Sequence, residues 1–342
     1  MITEKEDSSL MSGLKIGVLY NSPVMPTRGE VVDYVADAEV EEEVGAVEEA
    51  LKKLGLEHQR FPLAEDLESL ITALKTYSPD VVFNLCEAAY GDSHLEMAVP
   101  SMLELLHIPY TGSPPLALGL CQNKGLTKDI LKSQGIPTPD YQILSRIEDW
   151  QGRISYPLFV KPLSEDGSIG ITKESFIRKN SELKKRVEYI VEQYKQPALV
   201  EKYIKGRELN VSIIGYRETR VLPISEITFG FSREPKIVDY SAKWFKETEE
   251  YKKTIPVCPA KLPSTIRTII EAVAKHAYLA LCCKDYARVD IRLKGRVPYV
   301  LEVNPNPDIS PDGGFARSLK TASIPYEGFI QQTIQSTLKR KT

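Results

Sequence analysis

The chain has 342 residues, 42% of them hydrophobic and 27% charged, and a formal net charge of −3. This is the composition of an ordinary globular protein of two or three domains, and its weak negative charge argues against broad electrostatic binding to nucleic acid or an anionic membrane. The acidic opening Met1-Ile2-Thr3-Glu4-Lys5-Glu6-Asp7 lacks the regions of a signal peptide, and no apolar run is long enough to span a bilayer, so a cytoplasmic location is the expectation.

The first third alternates strand and helix signals. Leu14-Lys15-Ile16-Gly17-Val18-Leu19-Tyr20 reads as a buried strand. After a polar loop, Val40, Val44, Val47, Leu51 and Leu54 share one helix face, and Gly55 stops that helix. A second helix is expected over 67–77, a buried strand over 79–85, a helix around 94–106 and a short strand at His107-Ile108-Pro109-Tyr110. Such alternation predicts a parallel, doubly wound sheet.

Past Gly112 the pattern changes. Residues 124–134 read as a helix ended by Gly135-Ile136-Pro137. Strands are expected at 157–161 and 198–204, with a helix near 181–194 between them. Strands at 209–215 and 220–226 follow, then a long polar stretch over 229–260. A helix opens at Pro263-Ser264 and carries Ile266, Ile269, Ile270, Val273, Ala277 and Leu281. It ends near Cys282-Cys283, which read as small buried residues rather than a redox pair; the five cysteines show no zinc spacing. Two further strands and a terminal helix complete the chain.

Those two strands are the most telling stretch. Ala287-Arg288-Val289-Asp290-Ile291-Arg292-Leu293 and Pro298-Tyr299-Val300-Leu301-Glu302-Val303-Asn304 both alternate apolar with polar residues. The period-2 rule puts Arg288 and Asp290 on one face, and Glu302 and Asn304 on one face. In a hairpin Asp290, Glu302 and Asn304 can converge as hard oxygen ligands suited to Mg²⁺ that also touches substrate phosphates. A half-exposed hairpin showing its charges to water has the same pattern. The rigid ending Asn304-Pro305-Asn306-Pro307 favours the first reading, because it fixes the direction of Asn304.

Two other places suit a nucleotide. Phe159-Val160-Lys161-Pro162 ends a strand on a lysine, and Glu165-Asp166-Gly167-Ser168-Ile169-Gly170 follows. The loop is either a hairpin turn or a cradle of backbone amides for phosphates, with Lys161 as a point charge beside it. Val200-Glu201-Lys202-Tyr203-Ile204 ends another strand, whose backbone could meet an adenine edge, and Glu208 could hold ribose hydroxyls.

In order and spacing, Lys124, Lys161, the 165–170 loop, Glu201 to Glu208, and Asp290, Glu302 and Asn304 resemble an ATP-grasp enzyme of the D-alanine–D-alanine ligase family. The segments that carry the resemblance are Leu106 to Ser113, Asn123 to Lys128, Val160-Lys161-Pro162, Glu201-Lys202-Tyr203, Ala287 to Asp290 and Leu301 to Pro305. It covers most of the chain from about residue 14 to 335.

The resemblance implies an α/β fold, α+β in its C-terminal half. A Rossmann-like domain would occupy 1–112, a central ATP-grasp subdomain 113–205, and a C-terminal subdomain 206–342 with a lid over 229–260. ATP would lie between two antiparallel sheets. Lys124, Lys161, Glu165, Gly167 and Ser168 would serve its phosphates, Glu201, Lys202, Tyr203 and Ile204 the adenine, and Glu208 the ribose. Lys243 would reach the γ-phosphate from the lid, and Arg288 would stabilise a tetrahedral intermediate, with Ser168 closing over the reacting group. Asp290, Glu302 and Asn304 would hold two Mg²⁺ ions, or Mn²⁺. The implied activity is ATP-dependent joining of small carboxylate and amine substrates through an acyl phosphate, with release of ADP and phosphate, by an enzyme that can be a homodimer.

The substrate positions depart from the family. The loop Asn21 to Glu30 is longer and different, and Cys86-Glu87 replaces a His-Gly. Gly167 and Trp244 stand where a serine and a tyrosine organise the first substrate. Asp308 replaces a glycine, and Gly313-Gly314 replace a carboxylate-binding pair. Glu87, Trp244, Asp308 and Gly313 are therefore the expected substrate-facing residues. With Asp92, His94 and Glu96, Glu87 forms either a solvated cluster or a face for a cationic acceptor. On this reading D-alanine is a poor substrate, and the alternatives are a ligase for another amino acid or metabolite, or a nucleotide-binding protein without ligase activity. The joint presence of Arg288, Asp290, Glu302 and Asn304 disfavours the last.

Overall fold

A computed structural model describes residues 11, 13–24, 28–30, 40–64, 66–232 and 234–340. The expectations placed on Met1 to Asp7 and on Met25, Pro26 and Thr27 lie outside the described residues.

The first sheet is built from strands whose two faces are both apolar. β1 (Lys15–Asn21) turns Ile16, Val18 and Tyr20 toward one core and Leu19 toward another. It lies between β2 (Glu57–Leu63) and β3 (Val81–Asn84), all parallel, in the order β2-β1-β3. Helix α1 (Val40–Lys53) buries Val40, Val44, Val47 and Leu51 on one face of this sheet. α2 (Leu67–Tyr77), capped by Asp66, and α3 (Ala98–Leu105) bury Leu70, Leu74, Val99 and Leu103 on the other. The expected doubly wound layer is thus present.

Three local expectations need correction. β2 was not anticipated, because Glu57-His58-Gln59-Arg60 carries no apolar alternation; the parallel partner supplies what the pattern lacks. The helix expected around 94–106 begins at Ala98, and Ser93–Leu95 form a single tight turn capped by Asp92. The strand expected at 107–110 is reduced to a bridge between Tyr110 and Val82. A further helix, α4 (Pro115–Gln122), precedes α5 (Lys124–Ser133); its apolar sequence Pro-Leu-Ala-Leu-Gly-Leu-Cys shows no helical period.

Two antiparallel sheets follow. The four-stranded sheet has the order β4-β7-β5-β6, from β4 (Tyr141–Leu144), β5 (Leu158–Pro162), β6 (Phe176–Ile177) and β7 (Ala198–Lys202). Leu158, Val160, Ala198 and Val200 pack on α6 (Asn180–Tyr194), which leaves Phe159, Lys161 and Glu201 on the opposite face.

The six-stranded sheet runs β11-β10-β8-β12-β13, with β9 paired to β8. Its strands are β8 (Arg207–Ile214), β9 (Arg220–Val221), β10 (Ser225–Phe229), β11 (Thr254–Val257), β12 (Tyr286–Lys294) and β13 (Val297–Asn304). The single strand expected over 220–226 is divided by a break that includes Pro223. Leu209, Val211, Ala287, Val289 and Ile291 pack on α9 (Ser264–Ala280). The polar stretch 229–260 holds two short helices, α7 (Tyr240–Trp244) and α8 (Glu249–Lys253), before β11. Cys283 is buried as expected, whereas Cys282 is exposed; among the described residues all cysteines are free thiols.

The last helices do not stay with the C-terminal sheet. Phe315 and Leu319 of α10 (Gly314–Thr321) and Phe329, Ile330 and Ile334 of α11 (Tyr326–Arg340) join the core of α1 and β1. Asp285 fastens this return. It is 2% exposed and receives Gly112 N at 2.9 Å, Ser336 Oγ at 2.8 Å and the Arg340 guanidinium at 3.0 Å. Removing one partner of a buried ion pair leaves the other charge uncompensated. Asp285→Ala should therefore lower the unfolding free energy by about 3 kcal/mol in a urea titration. A loss within error of zero would show that the Arg340 charge is solvated.

Candidate active site

The central feature is a ladder of polar side chains on the inner face of the six-stranded sheet. Register pairs Arg288 with Ser212, Asp290 with Asn210 and Arg292 with Glu208 across β12 and β8. On the other side Asp290 faces Glu302 and Arg288 faces Asn304 across β12 and β13, with an irregularity just after Asp290. The convergence expected from the period-2 pattern is present. Arg288 grips Asp290 with both nitrogens, at 2.8 and 2.9 Å, and Asn210 and Asn304 donate to the same carboxylate at 2.7 and 3.3 Å. Arg292 pairs with Glu208 at 2.5 Å.

The four-stranded sheet answers with lysines. Lys161 Nζ lies 2.9 Å from Glu302 Oε2 and 3.8 Å from Glu201 Oε1, so an ion pair spans the two sheets. Burial alone would raise the Glu302 pKa, but Lys161, Lys124 and Arg288 outweigh it and hold the carboxyl down at about 2. Burial also opposes the charge on Lys161, yet Glu302 and Glu201 raise its pKa above the ordinary lysine range. Lys128, fully buried, lies 2.7 Å from the second Glu201 oxygen, and there burial wins and lowers the lysine pKa.

The phosphate-loop candidate is held from several sides. Asn123 caps α5 and so places Lys124 at its first turn. Lys124 Nζ donates to Glu165 O at 2.5 Å and Asp166 Oδ1 at 2.8 Å. Glu165 also receives Gln196 Nε2 at 2.7 Å and lies 3.5 Å from Arg28 Nε, while Arg28 itself binds Asp92 and His94. Gly170 has φ of 69°, and a Cβ there would lie 2.6 Å from Pro162 Cγ, so only glycine closes the loop without strain.

Two cavities meet here. The larger, about 340 Å³, lies between the sheets and is lined by Lys161, Gly167, Ser168, Glu201, Lys202, Tyr203, Ile204, Glu208, Lys243, Arg288, Asp290 and Glu302, with Gly313 at its end. The smaller, about 140 Å³, reaches the N-terminal layer and is lined by Glu43, Glu87, Glu96, Glu165 and Asn304. Trp244 and Asp308 line both.

Most expected site residues are thus brought together, with several differences in what their side chains do. Glu201 is a counter-ion for lysines, and its strand is paired on both edges, to β4 and to β5. Lys202 turns away and donates to Ser155 O and Tyr156 O at 2.8 and 2.9 Å. Tyr203 stacks edge-on against Phe176 and bonds Glu234. Glu208 faces Arg292 as well as the cavity. Asp308 accepts Ser310 N at 2.8 Å, and a Cβ at Gly313 would lie 2.9 Å from Asp308 Oδ2, so the acid and the glycine fit one another.

Of the expected cluster, Glu87 and Glu96 line the smaller cavity while Asp92 and His94 instead bind Arg28, and sequence reading missed another acid in the lining. Glu43 belongs to the apolar face of α1; burial, then Glu87 and Asp308, raise its pKa well above the carboxylate range. Arg292 was legible, since it continues the face of Arg288 and Asp290. Asn210 and Gln196 had no such signal, and Lys128 was marked only as part of the Asn123 to Lys128 segment.

The donor set suits a hard cation. Among the described residues no three His, Cys, Asp or Glu side chains gather around one point, so an all-protein metal cage is absent. Asp290, Glu302 and the Asn304 amide supply oxygen only, and the remaining ligands would come from phosphates, which is the habit of Mg²⁺.

Residues 130–335 match the family model described as D-ala D-ala ligase C-terminus. The chain is 32% identical over 264 residues to D-alanine–D-alanine ligase A of Bacillus cereus, covering 76% of this chain and 82% of that relative. This protein belongs to the D-alanine–D-alanine ligase family. A ligase of that name from Bordetella avium is 32% identical over 305 residues, 86% of each chain, and an uncharacterized protein of Sinorhizobium fredii is 34% identical over 287 residues, 81% of this chain and 83% of the relative. The crystal structure of D-alanine–D-alanine ligase from Bacillus anthracis complexed with ATP superposes with a TM-score of 0.76 at 27% identity, covering 96% of this chain and 99% of that one. The parallel sheet followed by two antiparallel sheets is therefore the ATP-grasp fold of this ligase family.

The electrostatics of the family site make a pH prediction. Glu302 is lowered from 4.5 to about 2, so the stability it contributes is complete above its unfolded pKa and is lost as pH falls toward 2. Glu302→Gln should lose less stability than wild type between about pH 5 and about pH 3, measured as urea midpoints. Equal acid sensitivity would mean that Glu302 is not the titrating group.

Proposed function

We propose that this protein joins two amino acids into an amide, using ATP to activate the carboxylate of one. The observation that carries the reading is the pair of buried Lys161 with half-buried Glu302, beside Asp290 and Arg288, between two sheets that enclose a nucleotide-sized cavity. Pure nucleotide binding has no need of Arg288 beside a second, substrate-sized cavity.

The steps follow from the chemistry of a carboxylate, which cannot expel oxide. A carboxylate oxygen attacks the γ-phosphorus of ATP, the bond to the β-γ bridging oxygen breaks, and ADP leaves. The resulting acyl phosphate has a good leaving group. The amine nitrogen of the second substrate then attacks the carbonyl carbon, loses a proton, and phosphate departs. Lys124, Lys161 and Lys243 would hold the phosphates, with Glu165, Gly167 and Ser168 shaping the loop around them. Glu201 to Ile204 would frame the adenine and Glu208 the ribose. Asp290, Glu302 and Asn304 would hold Mg²⁺, which would offset charge on the transferring phosphoryl group. Arg288 would stabilise the oxyanion of the tetrahedral intermediate. Glu87, Trp244, Asp308 and Gly313 would face the amino substrates.

D-alanine is the partner that the relatives' names favour, over the other acceptors suggested by the sequence replacements. We divide the chain at residues 112 and 205, with the 229–260 segment as a lid, although α10 and α11 pack back on the first layer. No described helix is long and apolar enough to cross a membrane. A cytoplasmic enzyme fits the need for ATP and free amino acids, and light scattering tests the homodimer implied by the family.

Phosphate release with D-alanine, and with a panel of other amino acids and diamines, tests the reading. A carboxylate labelled with ¹⁸O should pass one label to phosphate, and D-alanyl-D-alanine should be the product. AMP and pyrophosphate, or unlabelled phosphate, would replace the acyl phosphate with adenylation. Amide formed only from other amines would move the substrate and leave the chemistry.

A further inference from the structure

Two acids that the phosphate and metal chemistry leaves unused stand together in the smaller cavity. Glu43 lies on the buried face of α1 and is 5% exposed. Asp308 follows β13 and lines both cavities, as Arg288 does. The Glu43 carboxyl accepts the backbone N–H of Ile309, the residue after Asp308, so one acid is fastened against the backbone of the other. Asp308 is fixed in turn, since its Oδ1 accepts Ser310 N at 2.8 Å and its Oδ2 fills the space that a Cβ at Gly313 would need. The titratable groups that face Glu43 are Glu87 after β3, Asp308, Tyr286 on β12 and Tyr326 on α11, all of them acids or phenols. Burial, then Glu87 and Asp308, raise the Glu43 pKa, and Asp308 also shares a hydrogen bond with it. Two carboxyl groups can bond each other only through a proton between them.

We propose that the Glu43–Asp308 pair is the base that takes a proton from the attacking amine, where the two cavities meet. This rests on the ligase reading above. The need for a base is chemical, because an amino substrate arrives as an ammonium, whose nitrogen has no lone pair to attack with. Once the pair has lost its shared proton to solvent, it is ready to receive another. The ammonium gives one proton to Asp308, which shares it with Glu43. The freed lone pair forms the C–N bond at the acyl carbonyl, the C–O bond to phosphate breaks, and the second nitrogen proton goes to the departing phosphate. Arg288, which lines the same two cavities, stays with the oxyanion. Two carboxylates side by side bind a proton more readily than one alone, which brings a carboxyl base toward the pH at which the reaction runs.

Hydroxylamine separates the base from the rest of the site, because it is already unprotonated at neutral pH and needs no base before it attacks. Hydroxamate and amide are measured with the same donor amino acid, ATP and Mg²⁺. Asp308→Asn should lower the amide-forming kcat at least about 100-fold, the usual worth of a general base, and the hydroxamate rate by a factor about ten times smaller. Glu43→Gln keeps an acceptor for Ile309 N but removes a like charge beside Asp308. Its amide-forming kcat should fall about tenfold, and the acid limb of its pH profile should move to lower pH. Equal losses of amide and hydroxamate in Asp308→Asn, or an acid limb that stays in place in Glu43→Gln, would overturn the base and leave the pair a structural contact. Should neither variant fold, wild type decides. With the base, kcat/KM for the amino acceptor levels off between the acid limb and the ammonium pKa; without it, the value climbs about tenfold per pH unit through that interval. Wild type that forms neither hydroxamate nor amide sinks the ligase reading itself, and the base with it.

Discussion

The Lys161–Glu302 ion pair is the constraint around which the site is arranged. It joins two sheets that share no hydrogen-bonded strand, with the lysine buried and the carboxylate half-buried at the wall of the cavity. Buried charges of this kind persist only when each has an opposite partner and further hydrogen bonds. That requirement propagates outward. Lys161 also needs Glu201, Glu201 balances Lys128, Glu302 lies opposite Asp290, and Asp290 is held by Arg288 and Asn210. The same groups that satisfy one another here are those a phosphate and a divalent cation would exchange with. A lysine can pass from carboxylate to phosphate, and a carboxylate from lysine to metal, without any charge being left bare.

An acyl phosphate, as proposed, would demand a second constraint, dryness, and the glycine loop beside the cavity is held by contacts far apart in sequence. The glycine loop is gripped by Lys124 from α5, by Gln196 before β7, by Arg28 from the first loop and by the lid at Gly167 and Ser168. Each grip uses a backbone carbonyl or a carboxylate as the acceptor. The smaller cavity is lined by carboxyl groups, of which Glu43 and Glu96 have pKa values raised by burial and then by neighbouring acids. Burial thus favours the neutral form of these two carboxyl groups, which can then donate as well as accept hydrogen bonds.

Local periodicity carried much of this into the sequence. Arg288 and Asp290 alternate with Ala287, Val289 and Ile291, Glu302 and Asn304 with leucine and valine, and that pattern alone places the polar residues of each strand on one face; pairing then puts Asp290 opposite Glu302. Patterns fail where an element owes its conformation to a neighbour. The polar β2 becomes a strand because β1 offers it a parallel edge, and α4 has too many apolar residues to show a period. Lys128 received no role of its own from the sequence, yet it is fully buried with Glu201 across from it. The direction of the Trp244 indole, and the meeting of Arg28 with Asp92, His94 and Glu165, depend on how layers dock, which no local spacing encodes.

The central claim is that the cleft's cations and carboxylates are paired in advance and exchange partners only when phosphate and divalent cation arrive together. Calorimetric titration of the wild-type protein with ADP or ATP, with Mg²⁺ and then with a chelator, tests it most directly. The account predicts tight nucleotide binding with Mg²⁺ and a loss of at least about tenfold in affinity without it, since phosphate alone would displace Glu302 from Lys161 and leave the carboxylate uncompensated. Equal affinity in the presence and absence of Mg²⁺ would contradict it.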